Sequence, residues 1–184
     1  MVKKLYYILF CIIIIACNHY KSLFPRNSCG SIRILNRNQN FDLNYVGANF
    51  YKVCDTASVY KYIGEYTRNS NNRLIFVNYN YNKFYKFYSE GKAGKFGILK
   101  DISITKEALN PCLATNSYYG IDKYNRIILR NYFISKTHGD YLNTYVLEFK
   151  NDTLKVTDIL NKEYLEYYKR EKLPQDWLIY KPDW

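Results

Sequence analysis

Cysteine and histidine are the residue types whose chemistry depends most on placement, and this chain has few of either: 5 cysteines and 2 histidines in 184 residues. A thiolate can attack an electrophile, bind a metal or pair with another thiol. Cys11, Cys17, Cys29, Cys54 and Cys112 contain no Cys-x-x-Cys spacing, so neither a redox motif nor a zinc knuckle is indicated. The two histidines, His19 and His138, make no histidine-based metal set. His138-Gly139-Asp140 puts an imidazole near a carboxylate, as acid–base chemistry would require, but no serine elbow or cysteine nucleophile accompanies it. A turn ahead of a strand over 142–149 accounts for it better. Gly91, Gly94 and Gly97 recur in threes without a following helix, unlike a phosphate cradle. Asp122 and Asp152 sit at turns, where aspartate bonds its own backbone. No catalytic, cofactor-binding or metal-ligating residue is assigned, and the expectation is a non-enzymatic protein with no cofactor.

The chemistry that the sequence does carry lies at its start. Lys3 and Lys4 precede an apolar run, Leu5 to Ala16. A bilayer-spanning helix needs about 20 apolar residues, so this run is too short to cross. Its length and the small residue at its end fit a secretory h-region. Ile14-Ile15-Ala16-Cys17 resembles a lipobox, at which lipoprotein signal peptidase cuts before a diacylglycerylated cysteine. Ala16 fits the small residue wanted there, while Ile15 is bulkier than the usual residue. The resemblance implies a signal peptide over 1–16 and acylation of Cys17. A single acyl chain anchors only marginally, whereas several on one cysteine make a stable tether. Cys11 is a poor rival because Phe10 precedes it.

With Cys11 removed and Cys17 acylated, Cys29, Cys54 and Cys112 would remain in an oxidising compartment. Three thiols allow one disulfide among them, and the sequence does not choose the pair. The net charge is +11, from 27 basic and 16 acidic residues. Such a balance normally raises nucleic acid as a partner. Here an exported, anchored chain would not meet the genome. Lys outnumbers Arg, whereas base-edge readers favour Arg. Nucleic acid is therefore not expected, and the membrane is, through the anchor.

The elements that follow alternate with period two. Residues 17–40 are polar and weakly periodic and read as a tether; 41–184 read as one antiparallel β domain. Tyr145, Leu147 and Phe149 share a face, as do Leu154 and Val156, across an Asn151-Asp152 turn, the pattern of a half-buried hairpin. A second hairpin joins 83–88 to 93–99 through Gly91, and a third joins 117–121 to 126–134. Further strands are expected at 45–53, 58–67 and 74–79. Alternating aromatics in Tyr79–Tyr88 would fill a core on one side and leave a wet face on the other. Thr105–Leu109 could form one capped turn, and Asn161–Lys172 a helix with Leu160, Tyr164, Tyr167 and Tyr168 as its apolar stripe. Trp177 and Trp184 would seal the domain or pack on its side. The fold expected is mainly β, an antiparallel up-and-down barrel or a sandwich, with a short C-terminal helix.

Tyr85-Lys-Phe-Tyr-Ser-Glu-Gly-Lys92, Tyr119-Gly-Ile-Asp-Lys-Tyr-Asn-Arg-Ile127 and Val146-Leu-Glu-Phe-Lys-Asn-Asp-Thr-Leu-Lys155 resemble the hairpins of small lipocalin-like lipoproteins of the kind common in Bacteroidota. The resemblance covers roughly residues 58–158 and rests on strand-and-turn patterns. It implies a barrel, sometimes with an apolar cavity, and brings no catalytic residues. The function it suggests is an envelope lipoprotein that binds a small apolar ligand or a protein partner. The alternative is a structural or assembly adaptor of the outer membrane without a small-molecule ligand. Asn18-His-Tyr-Lys-Ser22 lacks an acidic surface-export run, so the expected place is the outer membrane, facing the periplasm.

Overall fold

Short runs of tyrosine, phenylalanine and aliphatic residues, broken by asparagine and glycine, build nine strands among the described residues. The computed structural model describes residues 54–68, 72–77, 81–99, 103–135 and 139–182. The expected signal segment, the expected tether, the strand expected at 45–53, His19, His138, Trp184, Cys17 and Cys29 lie outside them.

The strands are β1 (Ser58–Arg68), β2 (Leu74–Val77), β3 (Tyr81–Phe87), β4 (Lys92–Leu99), β5 (Thr115–Ile121), β6 (Ile127–Ser135), β7 (Gly139–Lys150), β8 (Thr153–Asp158) and β9 (Leu165–Lys172). From β3 to β9 each pairs antiparallel with its successor, and β9 pairs back on β1, from Ser58↔Lys172 to Tyr66↔Leu165. The result is a closed, antiparallel, eight-stranded barrel. On its other edge β1 is shared. Val59–Lys61 bond β3, while Glu65–Arg68 bond the short β2.

A register shift between Tyr62 and Gly64 interrupts the β1–β9 ladder. Such a bulge adds a residue to one strand and re-aims the side chains after it, so Tyr62 and Glu65 both reach the interior. Gly64 suits the place because a Cβ there would come within 2.0 Å of the Phe76 ring.

The expected hairpin turns are present. Asn125 and Asn151 take φ of 60° and 52°, and Glu90 and Gly91 take 64° and 66°. These are left-handed conformations that asparagine tolerates and glycine adopts without steric cost. Phe149 pairs with Leu154 and Leu147 with Val156, and all four pack in one core. Outside it, Lys155 bonds Glu148 at 2.8 Å. Glu107–Leu109 form a 3-10 turn, with Thr105 Oγ1 accepting from the Ala108 N–H at 3.3 Å.

The expected C-terminal helix is absent. Residues 165–172 are a strand, and the only helical element described after it is a 3-10 turn at Gln175–Trp177. Tyr164, Glu166 and Tyr168 follow period two toward the interior. An acidic residue in the middle of that series masked the alternation, because a carboxylate is rarely buried without partners.

Most of the barrel core is apolar. Tyr60, Phe87, Tyr119, Leu129, Leu147 and Leu154 fill it. Their rings meet mostly edge to face, as in Phe87–Tyr119 with centroids 5.2 Å apart, an arrangement that matches the quadrupoles of the rings. A second cluster lies on the outer wall. Val59, Phe84, Phe96 and Leu109 are buried beneath Ile104, Leu173, Trp177 and Tyr180. Phe84 and Phe96, directly paired across β3 and β4, stack 4.7 Å apart. Within the expected Tyr79–Tyr88 run, residues 84–87 lack a wet face: Tyr85 and Phe87 face the barrel core, and Phe84 and Lys86 are covered on the other side.

Removing a buried Leu typically costs about 2–5 kcal/mol. Leu154→Ala should therefore lower the melting temperature by many degrees and Phe149→Ala, which is only partly buried, by somewhat less. Lys155→Ala should change it little. Thermal melts followed by circular dichroism would show this, and a silent Leu154→Ala would contradict the packing described.

Candidate functional site

Among the described residues, ionisable side chains are held away from bulk water in the barrel lumen and in a cleft on the outer wall.

In the lumen, inward positions of four strands converge. Glu166 comes from β9, Lys83 from β3, Lys95 from β4 and, beyond its bulge, Glu65 from β1. Lys83 Nζ bonds both Glu166 Oε1 and Glu65 Oε2, the latter at 3.1 Å. Lys95 Nζ reaches Glu166 Oε2 at 3.3 Å, and the Tyr168 hydroxyl donates to the same oxygen at 2.7 Å. The Tyr164 hydroxyl stands 3.0 Å from each carboxylate, and Tyr62 donates to Glu65 at 3.1 Å. Lys83 also lies 4.3 Å above the Tyr62 ring.

Glu166 is 1% exposed. Burial alone would raise its carboxyl pKa, but the charges of Lys95 and Lys83 and the donors Lys83 and Tyr168 outweigh it and bring the group down to about 2. Two carboxylates around one site suggest acid–base catalysis, and the geometry argues otherwise. At neutral pH Glu166 has no proton to give, and lysine and tyrosine donors already occupy its oxygens. Tyr164 is driven upward by burial and by both carboxylates and stays protonated. The arrangement is a satisfied ion network that occupies lumen space where a ligand would otherwise sit.

The cleft outside has another character. Past β9, Leu173 N–H donates to Ala57 O at 3.1 Å, and the chain turns back across the outer wall. Lys92 Nζ bonds Pro182 O at 3.2 Å and holds the end of this C-terminal strap. Between strap and wall is a cavity of about 330 Å³, lined among others by Lys86, Tyr88, Leu109, Trp177 and Tyr180. Lys86 points outward from β3 yet is 4% exposed. Its Nζ donates to Thr56 O and, at 3.3 Å, to Phe87 O. Among the described residues no carboxylate lies in ion-pair contact with it; Asp55, which acts on it from further away, bonds Ser58 and pairs with Arg170. Burial lowers the Lys86 pKa to about 8, with Asp55 opposing the shift.

Among the described residues no cluster of three His, Cys, Asp or Glu side chains could hold a metal ion, and no helix is long and apolar enough to cross a membrane. Cys112 is disulfide-bonded to a partner outside the described residues. Cys54 is a free thiol buried in the barrel core, its pKa pushed up by that burial, which makes it inert as a nucleophile. Trp177 packs on the side of the barrel. None of Glu65, Lys83, Lys95, Glu166 or Lys86 stood out in the sequence. For Glu166 a signal existed, the period-two series Tyr164-x-Glu166-x-Tyr168. For Lys86 there was none, since the strap that buries it is remote in sequence.

Both sites should show in pH titrations. Glu166 binds its proton less readily in the folded chain than in the unfolded one, so its stabilisation is complete above about pH 4.5 and is lost as the pH falls toward 2. The loss should be on the order of 3 kcal/mol, and Glu166→Gln should flatten it in melts between pH 5 and 2. Lys86 gives a slope of the same sign in a higher window: the unfolded chain binds more protons between about pH 8 and 10.5, so stability should rise with pH there too, as the penalty of burying the ammonium is relieved. The difference between wild type and Lys86→Met, measured over the same range, isolates that rise.

No family model, curated protein or solved structure matches this chain, so the function must be argued from the sites themselves.

Proposed function

We propose that this protein is a lipid-anchored envelope protein with a lipocalin-like barrel, and that it binds a small molecule in the cleft outside its barrel wall. The observation that carries the binding part is the contrast between a lumen filled by aromatics and ions and a cavity of about 330 Å³ beneath the strap. That volume lies at the low end of small-molecule pockets, about 300–1,000 Å³. The small apolar ligand expected of a barrel cavity is thereby moved to the outer wall, where leucine, tryptophan and tyrosine offer it an apolar bed. Support for the anchor is the h-region and Ile14-Ile15-Ala16-Cys17; support for a non-catalytic role is the saturated carboxylate network. On the same reading Cys29 pairs with Cys112, since Cys54 is the free thiol, and the protein sits in the outer membrane facing the periplasm.

One feature favours the adaptor alternative. Ile63, Leu74, Ile75 and Phe76 on the β1–β2 hairpin are 39–50% exposed, and apolar side chains gathered at a surface mark contact sites.

Native mass spectrometry of the full chain, purified in mild detergent, should show a bound small molecule that Trp177→Ala reduces. A ligand-free wild type whose pull-downs instead retain an envelope protein, lost on Phe76→Ser, would favour the adaptor. For the anchor, Cys17→Ser should abolish partitioning into detergent; wild-type partitioning and normal processing of that variant would refute acylation at Cys17.

A further inference from the structure

We propose that the cleft selects an organic monocarboxylate, with its carboxylate on the Lys86 ammonium and its apolar body against Trp177, Tyr180 and Leu109. This rests on the small-molecule reading above and names the class of ligand.

A buried cation normally sits against a carboxylate, because an uncompensated charge in a poorly solvated place is costly. The lysines of the lumen follow the rule: Lys83 and Lys95 both contact Glu166. Lys86, more deeply buried than either, contacts two backbone carbonyls and, among the described residues, no carboxylate. Its ammonium has three N–H groups, and the two carbonyls engage two of them. It lines the cavity rather than a sealed interior, so the compensating anion can come from outside the chain.

The charges around Lys86 set the valence. Asp55 is engaged by Ser58 and Arg170. Lys92 is held by Pro182 O and lies 3.5 Å from Glu90, which offsets its charge. Lys181 is an exposed residue of the cavity lining. Arg170 is itself paired with Asp152, so Asp55 offsets part of the Lys86 charge from a distance; among the described residues no anion touches the ammonium, and a single negative group would fill that place. A phosphate dianion would be left with excess charge in an apolar cleft, and a lone ammonium lacks the planar fork suited to bidentate phosphate recognition.

The walls set the body. Leu109, Trp177, Leu178 and Tyr180 supply apolar and aromatic surface. Trp177 and Tyr180 also pack on the outer-wall cluster, so the surface is fixed before a ligand arrives. An anion on the ammonium would also oppose the effect of burial, which favours the neutral amine.

The probes are 4-phenylbutanoate and its neutral, nearly isosteric amide, 4-phenylbutanamide, titrated by calorimetry into the full chain in mild detergent. The wild type should bind the acid roughly tenfold or more tightly than the amide, as a charge-assisted hydrogen bond would give. Lys86→Met should bring the two affinities together by weakening the acid alone. Trp177→Ala should weaken both by a similar factor. Equal affinity of acid and amide for the wild type would overturn the carboxylate proposal while leaving the cleft a small-molecule site. Absence of binding by either probe up to millimolar concentration would overturn both. The wild-type comparison decides the matter even if a variant fails to fold, and retention of the acid preference in folded Lys86→Met would also refute the role given to that lysine.

Discussion

The barrel closes on a buried carboxylate. β9 points Glu166 inward, where Lys83 on β3 and Lys95 on β4 meet it from across the lumen and Tyr164 and Tyr168 from its own segment. An ionised carboxylate left alone in that position would cost several kcal/mol. With its partners it ties β9 to β3 and β4, strands with which β9 forms no backbone ladder. The bulge in β1 serves the same end, since it brings Glu65 to the same cation. The lumen thus has two parts, an aromatic part held by dispersion and area burial, and an ionic part held by charge and hydrogen-bond geometry.

What the sequence disclosed follows from this division. Where a strand carries apolar residues at every second place and ends in an Asn, Asp or Gly turn, as in 145–156, pattern and structure agree to the residue pair. Where the inward position is charged, pattern fails. Lys83, Lys95 and Glu166 each look like solvent-facing residues, and around Glu166 the misreading extended to a helix in place of β9. The information was present in the period of the tyrosines, but the carboxylate carried the opposite signal, and only its partners, some 70–80 positions away, reverse it. Lys86 is harder still. Nothing local distinguishes it from the other lysines of the chain, and its burial depends on a strap that arrives after β9.

The outer wall complements the lumen. Phe84 and Phe96 would be exposed in a barrel without appendages; the strap and the 3-10 turns at 107–113 convert them into a second core. β3 is buried on both faces in consequence, which explains its density of aromatics. The cleft exists because that second core stops short of Lys86, leaving an apolar recess with one cation at its back.

The pairing of β1 with β9 also bears on how the chain can fold. Ser58 meets Lys172, so the ladder that seals the ring joins nearly the first and last described residues. Contacts so distant in sequence carry a large loop-closure cost and slow the search for the native topology. Hairpins such as β7–β8 can form as soon as they exist, but no ring can form until the final strand is available, and the strap, hence the cleft, comes after that. A chain emerging N-terminus first would therefore carry its aromatic strands as an open, incomplete sheet until β9 had been made. Closure of this barrel waits on β9, and the recess beside Lys86 can take its shape only once the strap has followed.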